Sequence, residues 1–410
     1  MKVRHIRPAV RAVAALLAVT AGLAGCGSSP SAAGLGGLAV PDGVDAFGAE
    51  PDQAGRRLQA YFNDTYGSTI ASNEPKARKS ATNTDKSFLD LIAKARKSID
   101  GSFYDIADPD AVAALVRASR RGVKVRLTTD TDNMVDHENP SKQRLAIGQL
   151  RQAGVRIRDD QRSAIMHNKF MILDEKTVWT GSTNLTTSSL YRHNNNAMVL
   201  ESETLASRYR RTFNTMFVDG VFGPAGTLSS IGGDGPFHVG SAEVSLYFSP
   251  KGGGRDAVVE ELRKARKSIH FMTFSLTDKE IGETLVQKSK RGVEVSGVFD
   301  RWLAAGQYSL YAPFRMSGMS VVKDGNEALM HHKVILVDGQ TIISGSYNYS
   351  KNAENANNES FLIIKGDLGL AQRYEREFRR LIYAARNNRP PAFKPKDPEL
   401  KAEDPTGDQP

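Results

Sequence analysis

The sequence predicts a layered α/β fold that occurs twice in one chain. Short segments recur in the same order: Ala95-Arg96-Lys97-Ser98-Ile99 returns 170 residues later, and Met166-His167-Asn168-Lys169 returns as Met330-His331-His332-Lys333 after 164 residues. Within each copy, helical and strand-like patterns alternate, which is typical of a mixed, largely buried sheet covered by helices. A repeat of this length indicates duplicated domains and not a solenoid.

Each predicted element rests on its own pattern. In the first copy, apolar residues at helical spacing alternate with short apolar runs. The elements predicted there are a helix over 88–97, a strand over 98–104, a helix over 110–121, a strand over 123–127, a helix over 143–153, and strands over 155–157, 170–173 and 177–180. The second copy repeats the order with a helix over 256–267, a strand over 268–274, a helix over 279–291 and a strand over 293–299.

The composition limits the class of protein. The chain has 410 residues, of which 40% are hydrophobic and 25% are charged. Two or three soluble domains are therefore expected, and a wholly disordered, collagen-like or multi-span membrane protein is excluded. A single cysteine excludes a disulfide framework and a zinc site made of several thiolates. The net charge of +9, part of which stands in the first residues, permits an anionic partner without requiring one.

The N-terminal residues 1–25 have the pattern of a secretory signal, because a basic start precedes an apolar run that is too short to span a bilayer. The run ends Leu23-Ala24-Gly25-Cys26, which resembles the lipobox of bacterial lipoproteins and implies that Cys26 is lipidated. The alternative is an ordinary signal with an incidental cysteine. Residues 26–55 are predicted to be a flexible linker, and residues 389–410 a disordered tail. We expect an exported protein, anchored by lipid to the outer face of the bacterial cell membrane.

Two matched motifs carry the candidate chemistry. The first is His167-x-Lys169-x4-Asp174 followed by Gly181-Ser182-x-Asn184, and the second is His331-x-Lys333-x4-Asp338 followed by Gly345-Ser346-x-Asn348. Residues two apart on a strand point to the same face, so each histidine lies beside the lysine of its own motif. If the two copies face each other across a pseudo-twofold axis, two imidazoles and two ammonium groups converge on one anion.

This set of groups fits phosphodiester cleavage. One neutral imidazole attacks phosphorus and forms a phosphohistidine, while the opposite imidazolium protonates the leaving alkoxide and then activates water or an alcohol. The two lysines stabilise charge on the non-bridging oxygens, so no metal or other cofactor is expected. Further hydrogen bonds to the phosphate are expected from four polar side chains: Ser182, Asn184, Ser346 and Asn348.

The paired motifs, each with Gly-Ser-x-Asn downstream, resemble the phospholipase D superfamily over about residues 85–385. The resemblance implies that each unit is an α/β/α sandwich and that two units, expected at 56–235 and 236–388, share one active site at their interface. It also implies that His167 is the nucleophile and His331 the general acid and base. The predicted catalytic set is completed by Lys169, Lys333, Asp174 and Asp338, although the motif aspartates are often structural in this superfamily.

Members of the superfamily commonly place an acid after the Gly-Ser-x-Asn segment, where it binds the far nitrogen of the imidazole. In the second unit Glu359 fits this place, and its carboxylate is expected to favour the imidazolium form of His331. Ala197 falls at the predicted matching position of the first unit. Asn196 or Glu201 is expected to substitute for the missing acid; without a substitute the first motif is weakened.

Loops that follow strands are expected to surround the site. The candidates are residues 130–137 in the first unit and Asp300-Arg301-Trp302 in the second. Three aromatic residues, Trp302, Tyr347 and Tyr349, either contact substrate or pack in the core.

The preferred function is a phospholipase D activity, which hydrolyses or transfers phospholipid head groups, since a lipid anchor would hold the enzyme at a membrane surface. The enzymatic alternative is a secreted, metal-independent nuclease or nucleotide phosphodiesterase, which basic stretches at 117–124 and 288–291 permit. A third interpretation is a non-catalytic, anion-binding surface lipoprotein, which the missing first-unit acid favours. Because the duplication supplies both motifs, a monomer is expected.

Overall fold

The structure, a computed structural model, describes residues 53, 55–225 and 233–392. The predicted signal peptide, Cys26, nearly all of the predicted linker and the tail beyond residue 392 lie outside the described residues. Gln53 already belongs to the folded body, because its Nε2 donates to the carbonyl O of Ala60 at 2.9 Å and its Oε1 accepts the Ala60 N–H at 2.8 Å. The body therefore begins slightly before the predicted boundary at residue 56.

Two mixed β-sheets form the framework. The first contains β1 (Leu58–Phe62), β2 (Ser98–Phe103), β3 (Lys124–Thr129), β4 (Arg156–Asp159), β5 (Lys169–Leu173), β6 (Thr177–Gly181) and β7 (Asn196–Glu201). The second contains β8 (Asp234–Val239), β9 (Ala242–Ser249), β10 (Ser268–Thr273), β11 (Glu294–Phe299), β12 (Ser320–Lys323), β13 (Lys333–Val337), β14 (Thr341–Gly345) and β15 (Glu359–Lys365).

Helices cover both sheets. The N-terminal half, which comprises β1–β7, also contains α1 (Ile70–Lys79), α2 (Thr84–Lys94), α3 (Pro109–Arg120), α4 (Leu145–Gln152), α5 (Thr187–Tyr191) and α6 (Glu203–Asn214). The C-terminal half, β8–β15, contains α7 (Gly254–Lys264), α8 (Lys279–Lys290), α9 (Tyr311–Met316), α10 (Lys351–Asn355) and α11 (Leu368–Asn387). A π-helix at Thr215–Asp219 and 3₁₀ helices at Thr131–Met134, Gly223–Ala225 and Leu303–Ala305 complete the set. In the part of the chain that is described, no helix is both long and apolar enough to cross a membrane.

The two halves share one strand order. It is β1-β7-β6-β5-β2-β3-β4 in the first sheet and β9-β15-β14-β13-β10-β11-β12 in the second, where β8 is added beyond β9. In each sheet three neighbouring strands run parallel, β2-β3-β4 and β10-β11-β12, and the other neighbours are antiparallel. The predicted duplicated α/β fold with mixed sheets is confirmed. The predicted unit boundary after residue 235 falls inside β8.

Two predicted helices end earlier than the sequence pattern indicates. α2 ends at Lys94 and α7 at Lys264, three residues before the predicted ends. The backbone N–H groups that follow are bound by the motif aspartates instead of continuing the helix. Asp174 accepts the N–H groups of residues 96–98, and Asp338 accepts those of residues 266–268. These contacts turn the chain from helix into strand.

Three hydrophobic cores hold the layers together. One lies between the N-terminal sheet and α2, α3 and α4, and a second between the C-terminal sheet and α7, α8 and α9. The third joins the inner faces of both sheets and includes α6 and α11, with Phe170, Tyr209, Val334 and Tyr374 all buried in it. This shared core packs the two halves against each other.

Candidate active site

The two motifs lie at one edge of each sheet. Because β5 runs antiparallel to β2, its first residue, Lys169, pairs with Phe103 at the end of β2. Lys333 pairs in the same way with Thr273 at the end of β10. Each motif histidine stands two residues before its lysine and is completely buried. The edge at which the parallel strands end therefore carries each His–Lys pair, as is usual for sites in α/β sheets.

These two edges meet where the halves touch, and the contact is reciprocal. The backbone N–H of His167 donates to the carbonyl O of Asn358 at 2.9 Å, and the N–H of His331 donates to the carbonyl O of Asn194 at 2.9 Å. The preceding methionines form matching parallel bridges to the same two asparagines. This exchange is the pseudo-twofold arrangement that the paired motifs require, and it brings both histidines to one interface.

Each imidazole is held by a residue of the opposite half. His167 Nδ1 lies 2.8 Å and 2.9 Å from the two carboxylate oxygens of Glu359. His331 Nδ1 lies 2.9 Å from Oδ1 of Asn195 and 3.1 Å from the carbonyl O of Ser182. All these partners are acceptors, so Nδ1 of each ring carries a proton. This arrangement directs the chemistry to Nε2 of both rings.

The prediction that Glu359 binds His331 is therefore wrong. The acid belongs to the C-terminal half, but it crosses the interface and binds His167 instead of the histidine of its own motif. The sequence shows where Glu359 stands within its copy of the repeat, and it does not show that the two copies exchange these residues.

The predicted position of the first-half counterpart is also corrected. Gly181 pairs with Ala197 as Gly345 pairs with Phe361, so Ala197 matches a core phenylalanine and not the acid. The true counterpart of the acid is Asn195, which stands two residues earlier. The predicted substitutes serve elsewhere: Nδ2 of Asn196 lies 2.9 Å from His332 Nδ1, and Glu201 is exposed at the far end of β7.

The motif serines support these partners and do not face a phosphate. Ser182 Oγ donates to Asn195 Oδ1 at 2.7 Å, and Ser346 Oγ donates to Glu359 Oε2 at 2.6 Å. Each hydroxyl also accepts the backbone N–H of the residue that follows its partner. The hydrogen bonds of both serines are thus used within the protein, which corrects the prediction that they bind the substrate phosphate.

The two ammonium groups are fully buried beside the histidines. Lys169 Nζ donates to the carbonyl O of His167 at 2.9 Å. Lys333 Nζ donates to the carbonyl O of His331 at 3.0 Å and lies 2.7 Å from its Nε2. A buried ammonium group interacts with a negative charge much more strongly than it would in water. The pair can therefore stabilise the charge of a bound phosphodiester.

One aromatic ring packs on each His–Lys pair, and neither ring was predicted. The Tyr104 ring centroid lies 5.5 Å from that of His167, and the Phe274 centroid lies 4.6 Å from that of His331. The lysine Nζ atoms lie 5.5 Å and 4.7 Å from the same two rings. Both aromatics directly follow the strand that pairs with the motif, at matching places of the repeat, and this match is the signal that could have found them.

The motif asparagines complete the polar set. Asn184 and Asn348 are completely buried. Within the residues that the structure describes, neither Nδ2 nor Oδ1 of Asn348 has a hydrogen-bond partner. A buried amide without partners is costly, so Asn348 is poised to donate to a phosphate oxygen. The histidine, lysine and asparagine of both motifs are thus buried together.

Asp174 and Asp338 do not belong to this site. Each follows its motif strand at the end opposite to the histidine, about 16 Å away for a strand of five residues. Burial alone would raise the pKa of both carboxyl groups, but their three backbone N–H donors outweigh it and lower the pKa below its ordinary value. The prediction that Asp174 and Asp338 are catalytic residues is therefore wrong. They fix the turn between helix and strand.

The motif glycines are needed because two strands approach closely. A Cβ at Gly181 would lie 2.3 Å from the carbonyl O of Asn196, and a Cβ at Gly345 would lie 2.3 Å from that of Ser360. The same carbonyls accept the N–H groups of the motif serines at 3.0 Å and 2.9 Å. A larger residue at Gly181 would separate β6 from β7, which directly follows Asn195. A larger residue at Gly345 would separate β14 from β15, which begins with Glu359.

A buried aspartate from each predicted rim loop supports a histidine segment. Asp130 Oδ2 accepts the N–H of Met166 at 2.9 Å, and Asp300 Oδ2 accepts the N–H of Met330 at 3.1 Å. Burial raises the pKa of Asp130 to about 7, and the nearby Asp160 carboxyl group adds to the increase. Burial likewise raises the pKa of Asp300 to about 6.

His332, which the motif treats as a variable position, links the site to α11. It is completely buried, and its Nε2 lies 3.1 Å from Glu377 Oε1. Oε2 of Glu377 accepts the hydroxyl of Tyr66 at 2.5 Å.

Of the three aromatic candidates, Tyr347 and Tyr349 pack in the C-terminal core, and Trp302 remains partly exposed at the rim.

Comparison with known proteins places these motifs in context. The sequence profile of the family described as "Cardiolipin synthase, PLD-like domain" matches residues 88–217 and 258–382, more than half of the chain. A mitochondrial cardiolipin hydrolase from Xenopus laevis is 33% identical over 137 residues, which are 33% of this chain and 62% of that protein. A phospholipase D from Rickettsia prowazekii (strain Madrid E) is 29% identical over 133 residues, 32% of this chain and 64% of that protein. The chain thus matches less than two thirds of each relative.

Two solved structures are also similar. The phosphatidylserine synthase of Haemophilus influenzae Rd KW20 has a TM-score of 0.59 and 14% identity, and the match covers 78% of this chain and 85% of that chain. Nuc from Salmonella typhimurium, a phospholipase D family member, is 33% identical with a TM-score of 0.34, over 36% of this chain and 99% of that chain. The first likeness supports the fold.

Proposed function

This chain belongs to the phospholipase D superfamily, and from that premise we propose that it hydrolyses or transfers phospholipid head groups through a phosphohistidine. The observation that carries the proposal is the reciprocal contact of the two halves, which holds His167 against Glu359 and His331 against Asn195. Two imidazoles with Nδ1 occupied and two buried ammonium groups form a set suited to in-line displacement at phosphorus.

The unequal partners assign the roles of the two histidines. A carboxylate behind His167 stabilises the positive charge that forms on this ring when Nε2 bonds to phosphorus. It also keeps the proton on Nδ1, which leaves the Nε2 lone pair for the attack. An amide stabilises an imidazolium less than a carboxylate does, so His331 is the better proton donor of the two. The nucleophile is therefore His167, and the general acid is His331.

The reaction has two balanced steps. In the first, Nε2 of His167 bonds to phosphorus and the bond from phosphorus to the head-group oxygen breaks. His331 enters this step as an imidazolium and gives its Nε2 proton to that oxygen. In the second, His331 takes a proton from water, the water oxygen bonds to phosphorus, and the phosphorus–nitrogen bond breaks. Phosphatidic acid leaves and both histidines are restored. The non-bridging oxygens are held throughout by Lys169, Lys333 and Asn348.

Two considerations favour a phospholipid substrate. The matched relatives carry the names mitochondrial cardiolipin hydrolase and phospholipase D. We further propose that the protein is exported and that a lipid on Cys26, which lies outside the described residues, holds it at the outer face of the cell membrane. An anchored enzyme meets phospholipid at a high local concentration.

The experiment compares the full-length protein with its His167→Ala and His331→Ala variants in excess EDTA. Each is incubated with mixed phospholipid vesicles and, separately, with single- and double-stranded DNA. Release of head groups by the wild type and by neither variant supports the proposal. Cleavage of DNA with intact lipid would transfer the assignment to a nuclease. Full lipid turnover by either variant would contradict the shared site, and no turnover of any substrate would favour a non-catalytic, anion-binding protein.

A further inference from the structure

An arginine and a tryptophan stand at the rim of the site in the C-terminal half. Arg301 and Trp302 follow β11 directly after Asp300, whose carboxylate binds the residue before His331. The guanidinium group of Arg301 lies over the indole ring, with Cζ 4.7 Å from the ring centroid. Both side chains are partly exposed. The pair thus places a cation stacked on an aromatic ring at the rim, partly open to solvent.

An apolar cluster connects this pair to the buried histidine. Trp302 packs against Phe274, Leu303 and Leu329, which are all buried. The Phe274 ring in turn lies 4.6 Å from the His331 ring, centroid to centroid. Phe274 thus belongs to the cluster on which Trp302 packs and also contacts the general acid.

The Arg301 guanidinium has hydrogen-bonding capacity to spare. Its Nη1 is buried and has no partner among the residues that the structure describes. Asp324 accepts the backbone N–H of Arg301 at 2.6 Å and also attracts the guanidinium group. Burial and the neighbouring Asp300 raise the pKa of Asp324 well above its ordinary value. The unpartnered Nη1 therefore leaves part of the guanidinium group available to a ligand.

The N-terminal half has no such pair at the matching positions, which are Thr131 and Asp132. The hydroxyl oxygen of Thr131 lies 3.0 Å from a carboxylate oxygen of both Asp159 and Asp160, and Asp132 is exposed. At these matching positions the N-terminal half thus has a threonine bound to carboxylates, whereas the C-terminal half has a stacked arginine. This difference bears on the substrate, because the leaving alcohol must lie beside the general acid that protonates it.

We propose that Arg301, stacked on Trp302, binds a second phosphate in the leaving part of the substrate. The inference rests on the proposed function and narrows it to phospholipids whose head-group alcohol itself carries a phosphate. Cardiolipin has this chemistry, because its leaving alcohol is phosphatidylglycerol. Phosphatidylglycerol offers only neutral glycerol at this place, and a choline head group would bring its cation against Arg301.

The test uses the full-length protein and vesicles that contain either cardiolipin or phosphatidylglycerol at equal surface charge in phosphatidylcholine. Equal surface charge removes general attraction to anionic membranes from the comparison. We expect the wild type to prefer cardiolipin in kcat/KM, and Arg301→Met to lower this preference about tenfold to a hundredfold, as the loss of a charge-assisted hydrogen bond predicts. Arg301→Lys should keep part of the preference, because it keeps the charge without the planar fork. The matched control Arg315→Met removes an exposed arginine of α9 and should change neither rate.

An unchanged preference in Arg301→Met would overturn the subsite and leave the proposed function intact. An equal loss on both lipids together with a lower Tm would also overturn it, and would identify Arg301 as the counter-ion of Asp324. A loss confined to cleavage of single-stranded DNA would move the subsite to nucleic acid and overturn the lipid assignment. If the wild type cleaved neither lipid, the proposed function would fail first and the inference with it.

Discussion

Glutamine in place of Glu359 should disable His167, although the two residues belong to different halves. The two carboxylate oxygens lie 2.8 Å and 2.9 Å from His167 Nδ1, and one of them also accepts the Ser346 hydroxyl at 2.6 Å. Glutamine has nearly the same shape but a single acceptor oxygen. When that oxygen binds Ser346, the amide NH2 faces Nδ1 and drives the imidazole proton to Nε2. A protonated Nε2 cannot attack phosphorus.

The magnitude follows from two losses. A charge-assisted hydrogen bond contributes about 1.5–3 kcal/mol, and the wrong imidazole tautomer in a Ser-His-Asp triad lowers kcat about 10⁴-fold. We therefore expect Glu359→Gln to lower kcat by about 10²- to 10⁴-fold, which is about 3–5 kcal/mol at 1.36 kcal/mol per factor of ten. KM should change little, because Glu359 lies behind the imidazole and away from the phosphate.

The assay is steady-state release of head groups from vesicles, with a thermal unfolding curve for each variant. Glu261→Gln is the matched control, because Glu261 is a buried carboxylate of the same half that pairs with Lys264 and Lys365, away from both motifs. The control should keep wild-type kcat. A folded Glu359→Gln protein whose kcat stays within about threefold of the wild type would refute the reasoning.

Three further predictions follow from the same contacts. Asp174→Ala should lower the free energy of unfolding by about 2–4 kcal/mol in urea titrations, because three backbone N–H groups lose their acceptor. The activity of the folded fraction should remain unchanged. Loss of activity at unchanged stability would contradict this prediction. Because the pKa of Asp130 in the folded protein is about 7, against an ordinary 3.8, the folded state binds more protons between these values, so stability falls as pH rises from about 4 to 7 and levels off above. Asp130→Asn should flatten this slope in Tm measurements, and an identical slope in both proteins would exclude the assignment. Excess EDTA should leave turnover unchanged, because Lys169 and Lys333 supply the charge at phosphorus; a complete loss that added metal reverses would contradict this.

The repeat was sufficient to predict the fold. Matching segments in the same order, at offsets of 170 and 164 residues, indicate two copies of one α/β unit, and the structure confirms the mixed sheets and their shared order. The helix ends were less predictable, because apolar spacing continues past Lys94 while the backbone beyond it is bound by Asp174, which is far away in sequence. Local patterns do not report a long-range hydrogen bond of this kind.

The partners of the two histidines are only partly predictable from the sequence. Counting from the motif serines would have identified Asn195, since Ser182 and Asn195 are 13 residues apart, as are Ser346 and Glu359. The spacing of the motifs does not show that Glu359 and Asn195 each bind the histidine of the opposite half. It follows from the way in which the two sheet edges cross, so only the assembled structure places Glu359 on His167.

The identity of the histidine that carries the substrate during turnover tests the account most directly. Full-length protein would be quenched in alkali during turnover of phospholipid vesicles and then digested. The masses of the peptides that contain His167 and His331 would be measured by mass spectrometry. We expect a phosphatidyl group on His167 and none on His331. A phosphatidyl group on His331, or turnover without an adduct on either histidine, would contradict it.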